Sequence, residues 1–315
     1  MSGLPADLPA DLPADLLGDQ ERPYRSGFVC IVGRPNVGKS TLLNRLVSSK
    51  VAIVSDKPQT TRHAVRGILT LPEAQIVFVD TPGLHRPRDA LGRRLNDIAH
   101  QNLRDVDEVV FVLDAAARIG AGDAFIARAL ADIGTPVICV VTKADLVMPP
   151  KLLSQIEAAR ALGDWKDVLT TSSPRGTGIS DLVRALVDGL PEGPQYYPPE
   201  SISDQPRSMA VAEMVREKVL ELLSEEVPHS VAVVVDEIEP GDSPDVLLVT
   251  ASIYVERDSQ KGIVIGRGGR MLKEIGVRAR PDVEELLGSR VFLDLRVKVE
   301  PNWPRREALL ERFGY

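Results

Sequence analysis

The chain has 315 residues, 43% of them apolar and 26% charged, with a net charge of −7, which fits a globular protein of about two domains with a sizeable core. No apolar run approaches the roughly 18 residues that a membrane-spanning helix needs, and no basic-then-apolar leader pattern opens the chain. The two cysteines, Cys30 and Cys139, sit in apolar β-like runs, so they read as buried thiols of a reducing cytoplasm, and with four scattered histidines they offer neither a disulfide framework nor a zinc site.

Residues 1–25 begin with Leu-Pro-Ala-Asp three times in tandem, at Leu4–Asp7, Leu8–Asp11 and Leu12–Asp15. Proline every fourth residue blocks a regular helix and the acids repel one another, so a disordered extension is expected. From residue 26 to 189, β-like and helix-like segments alternate. The apolar run Phe28–Val32 predicts the first strand. It leads into Gly33-Arg34-Pro35-Asn36-Val37-Gly38-Lys39-Ser40 and then a helix over Ser40–Leu46. Two glycines bracketing four residues, then Lys-Ser, between a strand and a helix, is phosphate-loop spacing. The glycines let the backbone fold around an anion, and the helix start aims unpaired N–H groups at it. Lys39 would neutralise β/γ-phosphate charge and Ser40 would ligate Mg²⁺.

The polar stretch Gln59-Thr60-Thr61-Arg62 follows. A threonine hydroxyl there, Thr60 or Thr61, can complete a Mg²⁺ shell only when a γ-phosphate is present, which would make the loop a switch. The next strand, Gln75–Val79, runs into Asp80-Thr81-Pro82-Gly83. Asp80 can hold Mg²⁺ through water, and the Gly83 N–H can meet the γ-phosphate. Leu84 stands where many GTPases place a water-orienting glutamine, and leucine cannot hydrogen-bond a water, so slow intrinsic turnover is expected. Asn36 is the substitute, as a ligand for a monovalent cation such as K⁺ beside the phosphates.

A helical pattern near Leu91–Leu103, a strand at Val109–Leu113, a helix at Asp123–Asp132 and a strand at Val137–Val141 continue the alternation. Thr142-Lys143-Ala144-Asp145 follows that last strand. A carboxylate at Asp145 can accept two hydrogen bonds from the N1–H and 2-amino edge of guanine. Adenine lacks that donor pair, and unpaired polar groups of this kind discriminate by a factor on the order of 10⁴. Thr142 replaces the asparagine of the usual NKxD pattern with a hydroxyl that makes fewer bonds. A helix at Lys151–Leu162 and a strand at Val168–Thr171 precede Thr171-Ser172-Ser173, placed for backbone contact with the base. A helix at Ile179–Leu190 ends the region. Continuous apolar strands alternating with helices imply an α/β fold with a mostly parallel sheet covered on both faces.

Residues 190–207 carry Pro191, Pro194, Pro198, Pro199 and Pro206, a linker or a strapped connection. A second domain, 208–315, is expected as α-β-β-α-α-β: a helix at Ser208–Leu223, strands at Val231–Ile238 and Val246–Glu256, a short helix, Gly266-Arg267-Gly268-Gly269, a long helix near Arg270–Leu287, a strand at Val291–Glu300, and a C-terminal tail. Charge is unevenly spread here. Arg257, Lys261, Arg267, Arg270, Lys273, Arg278 and Arg280 face only Asp258 and Glu274 within 257–280, whereas 201–256 has three basic and twelve acidic residues. Screening confines each charge to about 10 Å, so this window can attract phosphate in a net acidic protein. A GxxG turn admits a nucleic-acid backbone closely, and such clamps hold about four nucleotides of single strand. Lys261, Gly266, Arg267, Gly268, Gly269, Arg270 and Lys273 are the candidate RNA contacts. An RNA-modifying enzyme would need a nucleophile or an acid–base pair in this half, where His229 stands alone.

Taken together, Gly33–Ser40, Gln59–His63, Asp80–Leu84 with His85-Arg86-Pro87, Thr142–Asp145, Gly262–Gly269 and Val297–Trp303 resemble the Era family of GTPases over roughly residues 26–310. The resemblance implies a Ras-like P-loop domain followed by an α+β type II KH domain. It implies GTP and GDP with Mg²⁺ as ligands, and hydrolysis in which Asn36, Lys39 and Thr61 take part. Ser40, Thr61 and Asp80 would hold the metal. Gly33–Ser40, Asp80–Leu84, Thr142–Asp145 and Thr171–Ser173 would hold the nucleotide. The implied partners are the 3′ end of 16S ribosomal RNA and the 30S subunit, whose maturation such proteins assist. The implied setting is a cytoplasmic monomer with peripheral association at the inner membrane. Thr142, the linker Tyr197-Pro198-Pro199-Glu200 and the N-terminal repeat depart from the family pattern.

Overall fold

The structure, a computed structural model, describes residues 23–55, 57, 62, 65–80, 103, 105–223, 231–241, 243 and 245–314. Most of the expected N-terminal extension and of the helix near Leu91–Leu103 lie outside them. The chain divides into two compact units, one drawn mainly from Met1–Asp204 and the other mainly from Gln205–Tyr315.

In the first unit, β-branched and apolar runs buried on both faces make the strands β1 (Arg25–Gly33), β3 (Ala74–Asp80), β4 (Glu108–Asp114) and β5 (Val137–Thr142), and a partly exposed strand, β6 (Asp167–Thr170), lies at the edge. The sheet order is β2-β3-β1-β4-β5-β6. All its pairings are parallel except β2 (Val65–Thr70) with β3. Helices α1 (Lys39–Leu46), α2 (Ala121–Ala131) and α3 (Pro149–Arg160) lie between strands, and α4 (Ile179–Gly189) follows β6. One core gathers Leu42, Leu43 and Leu46 of α1 with Leu182, Val183 and Leu186 of α4 on one sheet face, and a second gathers Ile126 and Leu130 of α2 with Phe111 and Cys139 on the other. Each fully buried aliphatic side chain contributes about 1.5–3 kcal/mol. Burial pushes the Cys139 thiol up to about 12, the inert state expected of a core cysteine.

Strand β2 was not expected from the sequence. Gly67 interrupts its β-branched pattern, and glycine in a strand often marks close approach of another element. A Cβ at Gly67 would lie 2.7 Å from Cδ1 of Leu43, so α1 packs directly onto that position.

The proline-rich stretch is a strap on this unit. Gly193 donates its N–H to Tyr24 O, Ser26 Oγ donates to Pro194 O, and Ile68 N–H donates to Ile202 O at 2.8 Å on the free edge of β2. Gln75, fully buried, accepts from the N–H groups of Tyr196 and Tyr197 and donates to Thr70 Oγ1 and Tyr197 O. Arg66 and the Tyr197 hydroxyl close the strap by bonding Asp204 at 2.8 and 2.9 Å. The edge strand is thereby covered, which prevents its pairing with another chain.

The second unit follows the order α5 (Arg207–Leu222), β7 (Ala232–Pro240), β8 (Val246–Val255), α6 (Asp258–Ile265), α7 (Arg270–Leu287) and β9 (Arg290–Val299). Its sheet is β7-β8-β9, with β7–β8 antiparallel and β8–β9 parallel. The two helices between β8 and β9 form the crossover that a parallel pair needs. Pro281 sits within α7 without ending it; the carbonyl it leaves unbonded, that of Val277, is on a half-exposed residue where water can take it. The expected tail instead folds: a short turn at Trp303–Arg305 and α8 (Glu307–Arg312) seat Phe313 4.5 Å from the Tyr254 ring and 5.5 Å from that of Trp303, which is fully buried.

Candidate functional site

From β1 the chain first builds β2 and β3 on one side and later β4 on the other. Such a reversal of direction opens a crevice beyond the carboxyl ends of the strands. The turn Gly33–Gly38 lies at that point. A Cβ at Gly33 would lie 2.5 Å from Val112 O of the neighbouring strand, and Gly38 has φ +104°, so both positions require glycine. Asn36 also has a left-handed φ of +65°, a conformation asparagine tolerates.

The turn's carbonyls are held by side chains. Lys39 Nζ donates to Gly33 O at 3.2 Å and Arg34 O at 3.0 Å. Burial pulls the Lys39 ammonium down from its ordinary value, while the charge of Asp80 opposes that shift. Thr142 Oγ1 lies 2.6 Å from Val37 O and 3.0 Å from Leu113 O. Lys143, with φ +57°, turns its ammonium back to Asn36 O at 2.8 Å and Asp114 Oδ2 at 2.7 Å. Asp114 pairs with Thr142 in the β4–β5 register. Its role was not read from the sequence, although the last residue of a parallel strand beside another strand end was the available signal.

Ser40 Oγ donates to Asp80 Oδ2 at 2.8 Å, and Asp80 is fully buried at the end of β3. A hydroxyl and a carboxylate at the mouth of an anion-binding turn form an oxygen donor set suited to Mg²⁺, which takes one or two protein ligands and fills the rest with phosphate and water.

Ala144 N–H donates to Thr171 O at 3.2 Å, and Ser172 Oγ donates to Asp145 Oδ1 at 2.6 Å. That hydroxyl holds the half-buried Asp145 carboxyl below the usual carboxylate range. The structure therefore gathers Gly33–Ser40, Asp80, Thr142–Asp145 and Thr171–Ser173 at one edge of one sheet. Thr61, Thr81, Pro82, Gly83 and Leu84 lie outside the described residues. Arg34, part of the turn expected to hold the nucleotide, bonds through its guanidinium Nε to Asp123 Oδ1 at 2.7 Å.

In the second unit, Gly266, Gly268 and Gly269 have φ of +71°, +63° and +76°. This run of left-handed backbone ends α6 and starts α7. A Cβ at Gly262, Gly268 or Gly269 would have no neighbour within 4 Å, so the turn stands open to an approaching backbone. Arg267, Gly268 and Arg270 are exposed. Lys261 lies on α6, and Arg270 and Lys273 on the first turn of α7. Arg278, one turn further, is taken up by Glu274 at 2.7 Å. The cations nearest the turn can meet phosphate, and the α7 N-terminus adds its N–H groups.

A family profile described as a 50S ribosome-binding GTPase matches residues 28–143, and a KH-domain profile matches 226–304. Two solved structures are similar over nearly the whole chain. A variant of Aquifex aeolicus Era bound to GDP·AlF4⁻ is 41% identical, with a TM-score of 0.89, covering 92% of this chain and 99% of that one. Era in complex with MgGDPNP and nucleotides 1506–1542 of 16S ribosomal RNA is 42% identical, with a TM-score of 0.88, covering 93% and 99%.

The Ser172–Asp145 bond generates a titration test. Replacing Ser172 with alanine removes the donor that favours the charged form, so the Asp145 pKa rises and its carboxylate protonates at a higher pH during acidification. Carboxyl-carbon NMR of the S172A variant should show that rise; an unchanged titration would mean the hydroxyl does not hold the carboxylate.

Proposed function

The chain belongs to the Era family of GTPases, and from that we propose that it binds and hydrolyses GTP, grips the 3′ end of 16S ribosomal RNA through its KH domain, and assists maturation of the 30S subunit. The observation that carries this reading is the meeting, in one crevice, of an anion-binding turn, the Ser40–Asp80 pair and Asp145 held as a carboxylate. Backbone N–H groups of 33–40 and Lys39 bind the β- and γ-phosphates. Ser40 and Asp80 hold Mg²⁺, with Thr61 as the third candidate. When bound, the ion neutralises charge that develops between the phosphates. Asp145 reads guanine, with Thr171–Ser173 beside it.

Hydrolysis is slow, because Leu84 cannot orient water and the only arginine of the phosphate turn is paired with Asp123. Asn36 stands exposed at the crest of the turn, where its side chain can ligate K⁺ and supply a positive charge to the transition state. Lys261, Arg267, Arg270 and Lys273 meet RNA phosphates around the open glycine turn, while bases of the single strand supply specificity. GTP favours the RNA-gripping form, and RNA then tightens GTP binding by the same factor. The profile that names the 50S subunit spans only the first domain; the RNA-bound relative and the KH domain favour the small subunit. The protein acts as a cytoplasmic monomer with peripheral association at the inner membrane. No helix among the described residues is long and apolar enough to cross a membrane.

Two measurements follow. GTP hydrolysis by the full chain should be faster in potassium than in sodium, and N36A should erase the difference; equal rates for the unaltered protein would remove the potassium role. Charge reversal in R267E should abolish binding of a 16S 3′-end oligonucleotide while RNA-independent GTP hydrolysis persists. Retained RNA binding would contradict the assignment of the glycine turn as the clamp.

A further inference from the structure

Arg34 is the one cation in the crest of the phosphate turn, and its position invites the reading of a phosphate ligand. The geometry points elsewhere. Arg34 Nε donates to Asp123 Oδ1 at 2.7 Å, and the Asp123 side chain is 1% exposed. The other carboxylate oxygen, Oδ2, accepts the Gly120 N–H at 2.9 Å, which caps the first turn of α2. Both oxygens are therefore in use, one for the helix and one for the phosphate turn. Gly122 completes the fit: a Cβ there would lie 2.7 Å from Arg34 Cδ, so the arginine stem lies across the space a side chain would fill. Three residues of one helical turn, Gly120, Gly122 and Asp123, are thus matched to one arginine.

The rest of the turn is held from a different side, with Asn36 O on Lys143 and Val37 O on Thr142. At the leading end Lys39 Nζ holds the Gly33 and Arg34 carbonyls, and the Arg34 side chain adds the link to α2. We infer that Arg34 is a positioning residue. It fastens the leading end of the phosphate turn to α2 through Asp123, and so sets where Pro35 and Asn36 stand relative to a bound γ-phosphate. The inference rests on the GTPase reading above. Its consequence is that α2, which no nucleotide contact would implicate, becomes part of the catalytic geometry.

A displaced turn still offers N–H groups to phosphate but places them poorly for the transition state, so the loss should fall on kcat rather than on ground-state binding. Misplacement on the order of 1 Å costs up to about 100-fold. The test compares the unaltered full chain with R34A, G122A, D123A and R34A/D123A, measuring steady-state GTP hydrolysis and GDP affinity. G122A keeps both charges, so it tests the fit even if removal of the buried carboxylate prevents folding. The expected result is a roughly 10- to 100-fold fall in kcat for R34A and for G122A, with GDP affinity within about threefold of the unaltered chain. The double variant should be no slower than D123A, which already lacks the Arg34 contact as well as the cap on α2. If R34A instead lost GDP affinity tenfold or more while G122A and D123A hydrolysed GTP normally, Arg34 would be a phosphate ligand and the inference would be overturned. Additive losses in the double variant would overturn it as well. Absence of hydrolysis in the unaltered chain would instead strike at the GTPase reading.

Discussion

A turn that wraps an anion turns its N–H groups inward and leaves its carbonyls without a ladder, so those carbonyls must be held from outside. Three side chains of the first unit meet that requirement. Lys39 holds Gly33 and Arg34, Lys143 holds Asn36, and Thr142 holds Val37. Each partner comes from the turn's own helix or from the carboxyl end of a parallel strand. A parallel sheet is what brings those ends together, with Ile31 beside Asp80 and Asp114 beside Thr142. Leaving one such buried group unpaired costs about 1–3 kcal/mol, so the tethers also stabilise the fold.

Thr142 shows how tightly the arrangement is drawn. Its single hydroxyl proton faces two carbonyls, Val37 O and Leu113 O, and can serve one at a time. An asparagine there would bring two N–H donors. The threonine keeps the tether to the phosphate turn but halves the donor supply. Asp145, the proposed guanine contact, is steadied by a different partner, Ser172.

The strands and helices that bury continuous apolar runs were legible in the sequence, with bounds differing by a residue or two where helix ends are set by capping rather than by pattern. The phosphate turn, Asp80 and Asp145 stood out in the sequence by residue type and spacing, and the structure brings them to the strand ends of one sheet. What stayed hidden depended on contacts between distant residues. Strand β2 is masked by Gly67, whose reason is Leu43 packing on it. Helix α8 is only six residues long, and it exists because Phe313 packs on Tyr254 and Trp303. Arg34 was read with its neighbours as a nucleotide contact, since no local pattern announces Asp123, 89 residues away. The prolines of 190–207 suggested a linker or a strap, and only the buried amide of Gln75 decides for the strap.

Charge in the second unit is uneven, with the cations gathered around three left-handed glycines and carboxylates concentrated in the segment before them, which is what the proposed RNA grip requires of a net acidic protein. If one nucleotide state favours that grip, the coupling must appear from the nucleotide side too. The direct measurement is calorimetric titration of a non-hydrolysable GTP analogue into the full chain, with and without saturating 16S 3′-end oligonucleotide. Tighter binding with RNA, by a factor within the usual range of about 5–150 for linked sites, is the predicted result; identical affinities would contradict it.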